Sequence, residues 1–173
     1  MRQNKGFTLV EILVVIAIMA ILTGSVVAGF SNVKYANFKK AATKVNNEIS
    51  ECRATCMSHE NPVYTYFYKY DGDLYFYTTE NGRMTFAQLQ SSGGTRVANS
   101  NVKLYYVNNG DATNTYHELA DNNFIEISFK LNGSFRTGAP DGDAANNTAF
   151  YKRIKIAGET NSRIIKMTQE TGK

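Results

Sequence analysis

The sequence of 173 residues predicts an α+β protein in which one long N-terminal helix precedes an antiparallel β-sheet. Residues 7–60 carry helical patterning without a proline, and Pro62 ends that region. Residues 61–173 instead carry short alternating runs separated by Gly, Asn and Asp turns. We therefore expect a helix that protrudes from one head domain of ordinary size, with its second half packed on the sheet.

The first part of the predicted helix is apolar on all sides. Residues 7–30 contain a single charge, Glu11. At about 1.5 Å rise per residue this segment would cross a hydrocarbon core of about 30 Å. Arg2 and Lys5 precede it, which would keep the N-terminus in the cytoplasm. The pattern predicts a single-pass inner-membrane span with the rest of the chain outside the cytoplasm.

A small residue stands before the apolar segment rather than after it. In a secretory signal peptide the cleavage site follows the apolar region. Here Gly6 lies between the cationic residues and Phe7. A cut between Gly6 and Phe7 would remove residues 1–6 as a leader and keep the helix, and it would create a new α-amino group on Phe7.

Glu11 is the unusual residue of the apolar segment. A carboxylate costs about 2.5–3.5 kcal/mol in the middle of a membrane, so a compensating interaction is expected. One interpretation places Glu11 near the headgroups with no further role. The other has Glu11 neutralise a positive charge on another chain, and the amino group of a cleaved Phe7 would supply one. The residues alone leave both interpretations open.

The run GFTLVEILVVIAI at residues 6–18 closely resembles the N-terminal signature of type IV prepilins and of the pseudopilins of secretion and competence systems. The resemblance implies a prepilin peptidase that cuts between Gly6 and Phe7 and N-methylates Phe7. It implies that Glu11 pairs with the Phe7 amino group of a neighbouring subunit in a filament. The implied partners are other pilin subunits, the peptidase, an assembly-platform membrane protein and, before assembly, the lipid bilayer.

The resemblance also implies a location and a branch. The precursor would lie in the inner membrane, and the assembled filament would lie at the cell surface or in the periplasm. Residues 124–135 and 171–173 resemble, more weakly, the minor pilin and minor pseudopilin branch. Two positions depart from the pattern of major pilins, which commonly have Gly in place of Ala20 and Pro in place of Ala28.

Residues 31–60 continue the helix with one apolar stripe, which we expect to lie against the head domain. The stripe consists of Phe38, Ala41, Ala42, Val45, Ile49 and Cys52. Cys52 and Cys56 are four residues apart, where helical Cβ atoms are about 5–6 Å apart, against about 3.5–4.5 Å in a disulfide. We expect two thiols that face the domain, and a bridge only if the helix ends before Cys56.

Residues 61–173 are predicted to form the antiparallel sheet. The alternating runs are residues 63–70, 74–78, 102–107, 124–131, 150–156 and 163–167. Asp71-Gly72 and Asn132-Gly133 are typical of hairpin turns. The first run places four tyrosines on one face. These rings could cover the sheet, fill an interface or stack on a ligand, and we favour the first two roles over ligand binding.

Enzymatic function has little support in the sequence. The chain contains no nucleophile elbow, phosphate loop, dinucleotide fingerprint or zinc-protease motif. Asp141-Gly142-Asp143 lacks the Glu that completes a calcium loop. We therefore expect a structural protein with no catalytic residue, no cofactor and no metal.

Nucleic-acid binding is the alternative from a different class. Removing Arg2 and Lys5 leaves 17 basic against 15 acidic side chains, which does not by itself indicate nucleic acid. From residue 130 onward, however, there are eight basic and four acidic residues. The candidate contacts are Lys152, Arg153, Lys155, Arg163 and Lys166. Basic residues that alternate with apolar ones also protect a sheet edge from aggregation.

The sequence is therefore consistent with three functions. The favoured one is a structural subunit of a type IV pilus-like filament, assembled through its N-terminal helix. The second is a DNA-binding minor pilin of a DNA-uptake system, since the family includes such proteins with a basic C-terminal region. The third is a single-pass anchor for a surface domain that never polymerises, and it requires that Gly6-Phe7 stay uncut.

Overall fold

The computed structural model describes residues 8–108, 111–112, 115–136 and 151–167, and for residues 24–31 it describes the backbone alone. The helices are α1 (Leu9–Ser58) and α2 (Phe86–Ser91). The strands are β1 (Tyr64–Tyr70), β2 (Asp73–Thr79), β3 (Thr95–Ala98), β4 (Lys103–Asn108), β5 (His117–Glu118), β6 (Asn123–Ile127), β7 (Tyr151–Ala157) and β8 (Ser162–Lys166).

The strands form two four-stranded sheets, with the orders β3-β2-β1-β6 and β5-β4-β7-β8. Every pairing of these strands is antiparallel. The α+β prediction is confirmed, although the strands divide into two sheets where the sequence suggested one. The division arises because β6 returns to pair with β1, whereas β7 pairs with β4.

The chain forms two compact units, Met1–Ala36 and Asn37–Lys173. Within the second unit, the predicted stripe of α1 joins both sheets in one buried cluster. Ala41 and Ala42 are fully buried, and their small side chains let the helix backbone come close to the strands. The cluster includes Phe38, Val45 and Ile49 from α1, Phe67, Leu74 and Ile125 from one sheet, and Leu104, Ile154 and Ile156 from the other.

Both cysteines are buried free thiols on the domain-facing side of α1, as predicted. A bridge between the two cysteines would require the helix to end before Cys56, but the helix continues to Ser58. The Cys56 thiol donates to the carbonyl oxygen of Val63 at 3.3 Å. The hydrogen bond with Cys56, together with burial, raises the pKa of the Cys52 thiol, which therefore stays protonated.

The tyrosine face of β1 is covered by the chain itself. Tyr66 and Tyr68 are buried together with Leu89 of α2. Helix α2 was not predicted, although Thr85 and Gln88 form the capping box that marks its start. A Cβ atom at Gly94 would collide with the Tyr68 hydroxyl and the Phe76 carbonyl. The close approach of residue 94 to the Tyr68 ring therefore requires glycine. The expectation that the rings cover the sheet is confirmed for Tyr66 and Tyr68, whereas Tyr70 at the end of the strand is 44% exposed.

The predicted strand over 124–131 is too long. Strand β6 ends at Ile127, and beyond it Phe129 and Phe135 form an isolated bridge. The chain turns between them because the Lys130 amide donates to the Ser134 carbonyl at 2.7 Å, with Gly133 at a φ of 74°. The Asn132-Gly133 turn is therefore present, but it joins two single-residue bridge partners instead of two strands.

Buried tyrosines predict a loss of stability at alkaline pH. Burial raises the pKa of Tyr66 and of Tyr151 above the ordinary value of about 10. Above that pH the unfolded chain loses these protons while the folded chain keeps them, so the free energy of unfolding falls as pH rises. For Tyr151 the expected slope is about 1.4 kcal/mol per pH unit.

Urea unfolding of the full chain in detergent at pH 9, 10 and 11 measures this slope. Tyr151→Phe is the matched control and should flatten the profile, since its hydroxyl is the group that titrates. An identical slope in wild type and Tyr151→Phe would contradict the assignment.

Candidate assembly and processing site

The residues of the predicted cleavage site, Gly6 and Phe7, lie outside the described part of the chain, as do the other leader residues 1–5. Thr8 is the first residue that the structure describes, and α1 begins at Leu9. The structure therefore locates Glu11 but does not test the processing residues.

Thr8 and Glu11 form a reciprocal cap at the start of α1. The Glu11 Oε2 atom accepts from the Thr8 backbone N–H and from the Thr8 hydroxyl, both at 3.0 Å. The Glu11 N–H in turn donates to Thr8 Oγ1 at 3.3 Å. This is the capping box, in which two N–H groups at the open end of a helix are satisfied by side chains.

The cap gives Glu11 a partner within its own chain, which neither interpretation of the sequence included. A carboxylate at a helix N-terminus is also favoured by the helix dipole. Two carboxylate oxygens offer about four acceptor positions, so the two bonds to Thr8 leave capacity for a further donor. The sequence analysis did not predict this role of Thr8, although a Ser or Thr followed three residues later by Glu is a recognisable capping signature.

The helix surface around Glu11 is apolar and exposed. Leu9 is 79% exposed and Ile16 is 62% exposed. The other exposed apolar side chains of this segment are Val10, Ile12, Leu13, Val14, Val15, Ile18, Met19, Ile21 and Leu22. A continuous apolar surface of this extent marks contact with other proteins or with lipid.

Among the described residues, no helix reaches the combined length and hydropathy needed to cross a membrane. The described residues also contain no cluster of three His, Cys, Asp or Glu side chains that could hold a metal ion. Asp141 and Asp143 fall outside that part of the chain.

Three of the five candidate nucleic-acid residues share one face of the second sheet. Arg153 and Lys155 are two residues apart on β7, and Arg153 stands opposite Lys166 on β8. The Lys155 ammonium lies 5.7 Å from the ring centroid of Tyr105 and 5.2 Å from that of Tyr116. This face therefore combines cations with aromatic rings.

The other two candidates do not join this face. Arg163 stands opposite Ile156, whose side chain is buried in the core, so it lies on the opposite side of the sheet. The Lys152 ammonium donates to the Asp111 carbonyl at 3.2 Å. Lys103, which the sequence did not single out, lies on the cationic face but is bonded to Glu118 at 3.1 Å.

Residues 1–27 match a family model, the prokaryotic N-terminal methylation motif. The chain thus combines a processing and methylation motif with an exposed apolar helix start and an α+β head, which is the organisation of a membrane-anchored precursor of a structural subunit. The match supports the type IV pilin and pseudopilin family and, with it, prepilin cleavage and N-methylation. No curated protein and no solved structure matches the chain.

Proposed function

We propose that this protein is a structural subunit of a type IV pilus-like filament. Its precursor is anchored in the inner membrane by residues 7–30, and prepilin peptidase cuts between Gly6 and Phe7. One observation carries the proposal: the methylation motif covers residues 1–27, and within that range a helix begins whose apolar side chains are exposed around the capped carboxylate of Glu11.

The physics of assembly follows from the apolar surface. A helix that is apolar on all sides is equally stable in lipid and among copies of itself, because both environments remove the same surface from water. Extraction from the membrane into a filament core therefore carries little cost. The assembled subunits would lie at the cell surface or in the periplasm, after delivery by an assembly-platform membrane protein.

Glu11 would set the register of this assembly. The amino group of a cleaved and methylated Phe7 remains cationic. In a filament core of low dielectric constant it attracts a carboxylate far more strongly than in water. The acceptor positions of Glu11 that Thr8 leaves open provide the site for a neighbour's Phe7.

Mass spectrometry of the mature N-terminus tests the proposal. We expect native membranes and sheared surface filaments to contain a chain that begins with N-methyl-Phe7. Gly6→Leu is the matched variant and should retain the leader, because the small residue at the cut is lost. A wild-type chain that keeps Met1 would refute the proposal and leave an anchored surface domain. If the chain begins with N-methyl-Phe7, its abundance in the sheared fraction separates a major from a minor subunit.

DNA binding by a minor pilin is the second candidate, and the cationic face favours it. Arg153, Lys155 and Lys166 share that face with Tyr105 and Tyr116, and lysines beside aromatic rings suit phosphates and stacked bases.

Fluorescence anisotropy of the full chain in detergent with labelled DNA, repeated over a salt series, tests this candidate. Arg153→Gln and Lys166→Gln should each weaken binding and lower the slope against log salt by about one. Arg163→Gln is the matched control on the opposite side of the sheet. Equal effects of the three variants, or no binding by wild type, would refute DNA recognition by this face.

A further inference from the structure

The last two turns of α1 bring two thiols to one backbone oxygen. The Cys56 Sγ atom lies 3.3 Å from the carbonyl oxygen of Val63, and the Cys52 Sγ atom lies 4.0 Å from the same oxygen. The two thiols also hydrogen-bond to each other. The sulfurs therefore face one another across a single turn of the helix, within reach of one small ion placed between them.

The thiol pair is shielded from water and has no competing ligand nearby. Cys52 is 2% exposed and Cys56 is 3% exposed. Val63, Ile127 and Phe129 belong to the same buried cluster. Cys52 and Cys56 are the only cysteines of the sequence, and within the described ranges no third His, Cys, Asp or Glu side chain joins them in a metal-binding group. The described part of the chain therefore offers two soft ligands at this place.

The spacing that disfavours a disulfide suits a metal ion. In a disulfide the sulfurs are about 2.05 Å apart and the Cβ atoms about 3.5–4.5 Å apart, whereas helical Cβ atoms four residues apart are separated by about 5–6 Å. A metal–thiolate bond is about 2.3 Å long, so an ion between two collinear thiolates holds the sulfurs about 4.6 Å apart. That separation is compatible with the Cβ spacing, and the helix need not unwind.

Hydrogen-bond donors already surround both sulfurs. The Cys52 thiol, and after it the backbone N–H groups of Phe129 and Val63, donate to the Cys56 sulfur and lower the pKa of that thiol. Thr65 donates to the Cys52 sulfur through its hydroxyl and its N–H. Outer hydrogen bonds of this kind orient and tune the ligands of protein metal sites. They would also offset part of the cost of a buried negative charge.

We propose that Cys52 and Cys56 bind one Cu(I) ion between them. Thiolates select soft ions such as Cu(I), which is stable with two collinear thiolates, whereas a structural zinc site has four ligands. Binding displaces the thiol protons, so one Cu⁺ and two thiols give a bis-thiolate complex with one negative charge and two H⁺. No electron is transferred, because copper enters and remains as Cu(I).

The site lies near an exposed end of the helix. α1 ends at Ser58, two residues beyond Cys56, and residues 57–61 are exposed, which gives the ion an approach from solvent. Because both ligands belong to α1, the bound ion would hold the last turns of the helix together. The site does not use the N-terminal apolar segment, so the inference goes beyond filament assembly and does not depend on it.

A competition titration of the full chain in detergent tests the site. Under anaerobic, reducing conditions, Cu(I) is divided between the chain and the chromogenic Cu(I) chelator bicinchoninate. We expect one Cu(I) per chain. Cys52→Ser and Cys56→Ser should each lower the affinity about a hundredfold or more, because loss of even an outer hydrogen-bond partner of a metal ligand costs about 10–100-fold. Met57→Leu is the matched control, since it removes an exposed soft sulfur beside the site and should bind as wild type does.

X-ray absorption of the copper-loaded wild type provides a second measurement that needs no variant. We expect two sulfur neighbours and no nitrogen or oxygen bonded to copper. Equal affinity in wild type and both serine variants, or copper bonded to three or more sulfurs from two chains, would overturn the site and leave the proposed function intact. Adventitious binding at the surface would appear as a loss in Met57→Leu without a loss in the serine variants, and it would overturn the site as well.

Discussion

Replacing Glu11 by Ala is expected to lower filament yield by about a hundredfold or more, whereas the precursor still inserts and loses its leader. The substitution removes the proposed partner of a neighbour's Phe7 amino group, and an unpaired charge within an apolar core costs about 3–5 kcal/mol. It also removes the cap on Thr8, which is a smaller loss of about 1 kcal/mol. Sheared filaments and membrane precursor, quantified together, measure the effect.

Two matched variants separate the cap from the contact between chains. Thr8→Ala removes the hydroxyl of the capping box and leaves the carboxylate, so we expect only a modest loss of assembly. Glu11→Gln keeps an oxygen that can accept from the Thr8 N–H but removes the charge. It should assemble as poorly as Glu11→Ala. If Glu11→Gln assembles normally, Glu11 acts as a helix cap alone and the proposed ion pair is wrong.

The elements that the sequence predicted well are those fixed by local interactions. The run at 63–70 became strand β1, and Asp71 and Gly72 turn the chain with φ values of 51° and 77°. Such positive values suit Asp and Gly, and the alternation on either side sets the pairing of β1 with β2. The burial of Cys52 could also be predicted from the sequence, because its place on the apolar side of the helix follows from spacing alone.

The features that the sequence did not reveal depend on pairing between distant residues. Strand β6 pairs with β1 in one sheet, and β7 pairs with β4 in the other. Because these strands have similar alternation, no local pattern specifies which of them pair. The grouping of the candidate nucleic-acid residues also depends on strand pairing. Arg163 and Lys166 are close in sequence, yet they lie on opposite sides of β8, and only the register against β7 reveals this.

The capping box of Glu11 shows a different limit, since its signal was present in the sequence. The apolar neighbours of Glu11 indicate a partner in the membrane or on another chain, whereas the hydroxyl that bonds its carboxylate in the structure belongs to Thr8, three residues earlier. The two roles do not exclude each other. A capped carboxylate is held in one orientation at the helix start, and this lowers the ordering cost of binding an amino group from a neighbour.

The largest expected loss of stability comes from Phe67→Ala. Phe67 is 0% exposed on the central strand β1, and it packs in the cluster that joins α1 to both sheets. Truncating a buried phenylalanine costs about 3–5 kcal/mol, through lost apolar burial and the cavity left behind. Because a domain is stable by only about 5–15 kcal/mol, the head would lose a large share of its stability.

Urea unfolding of the full chain in detergent, followed by the tyrosine signal because the chain has 11 Tyr and 0 Trp, measures this loss. Tyr70→Ala is the matched control on the same strand, since Tyr70 is 44% exposed and its truncation should change the free energy of unfolding by about 0.5 kcal/mol or less. Equal losses in the two variants would contradict the placement of β1 at the centre of the fold. If the placement is right, Phe67→Ala should also lower filament yield through precursor abundance, whereas Glu11→Ala acts at normal abundance.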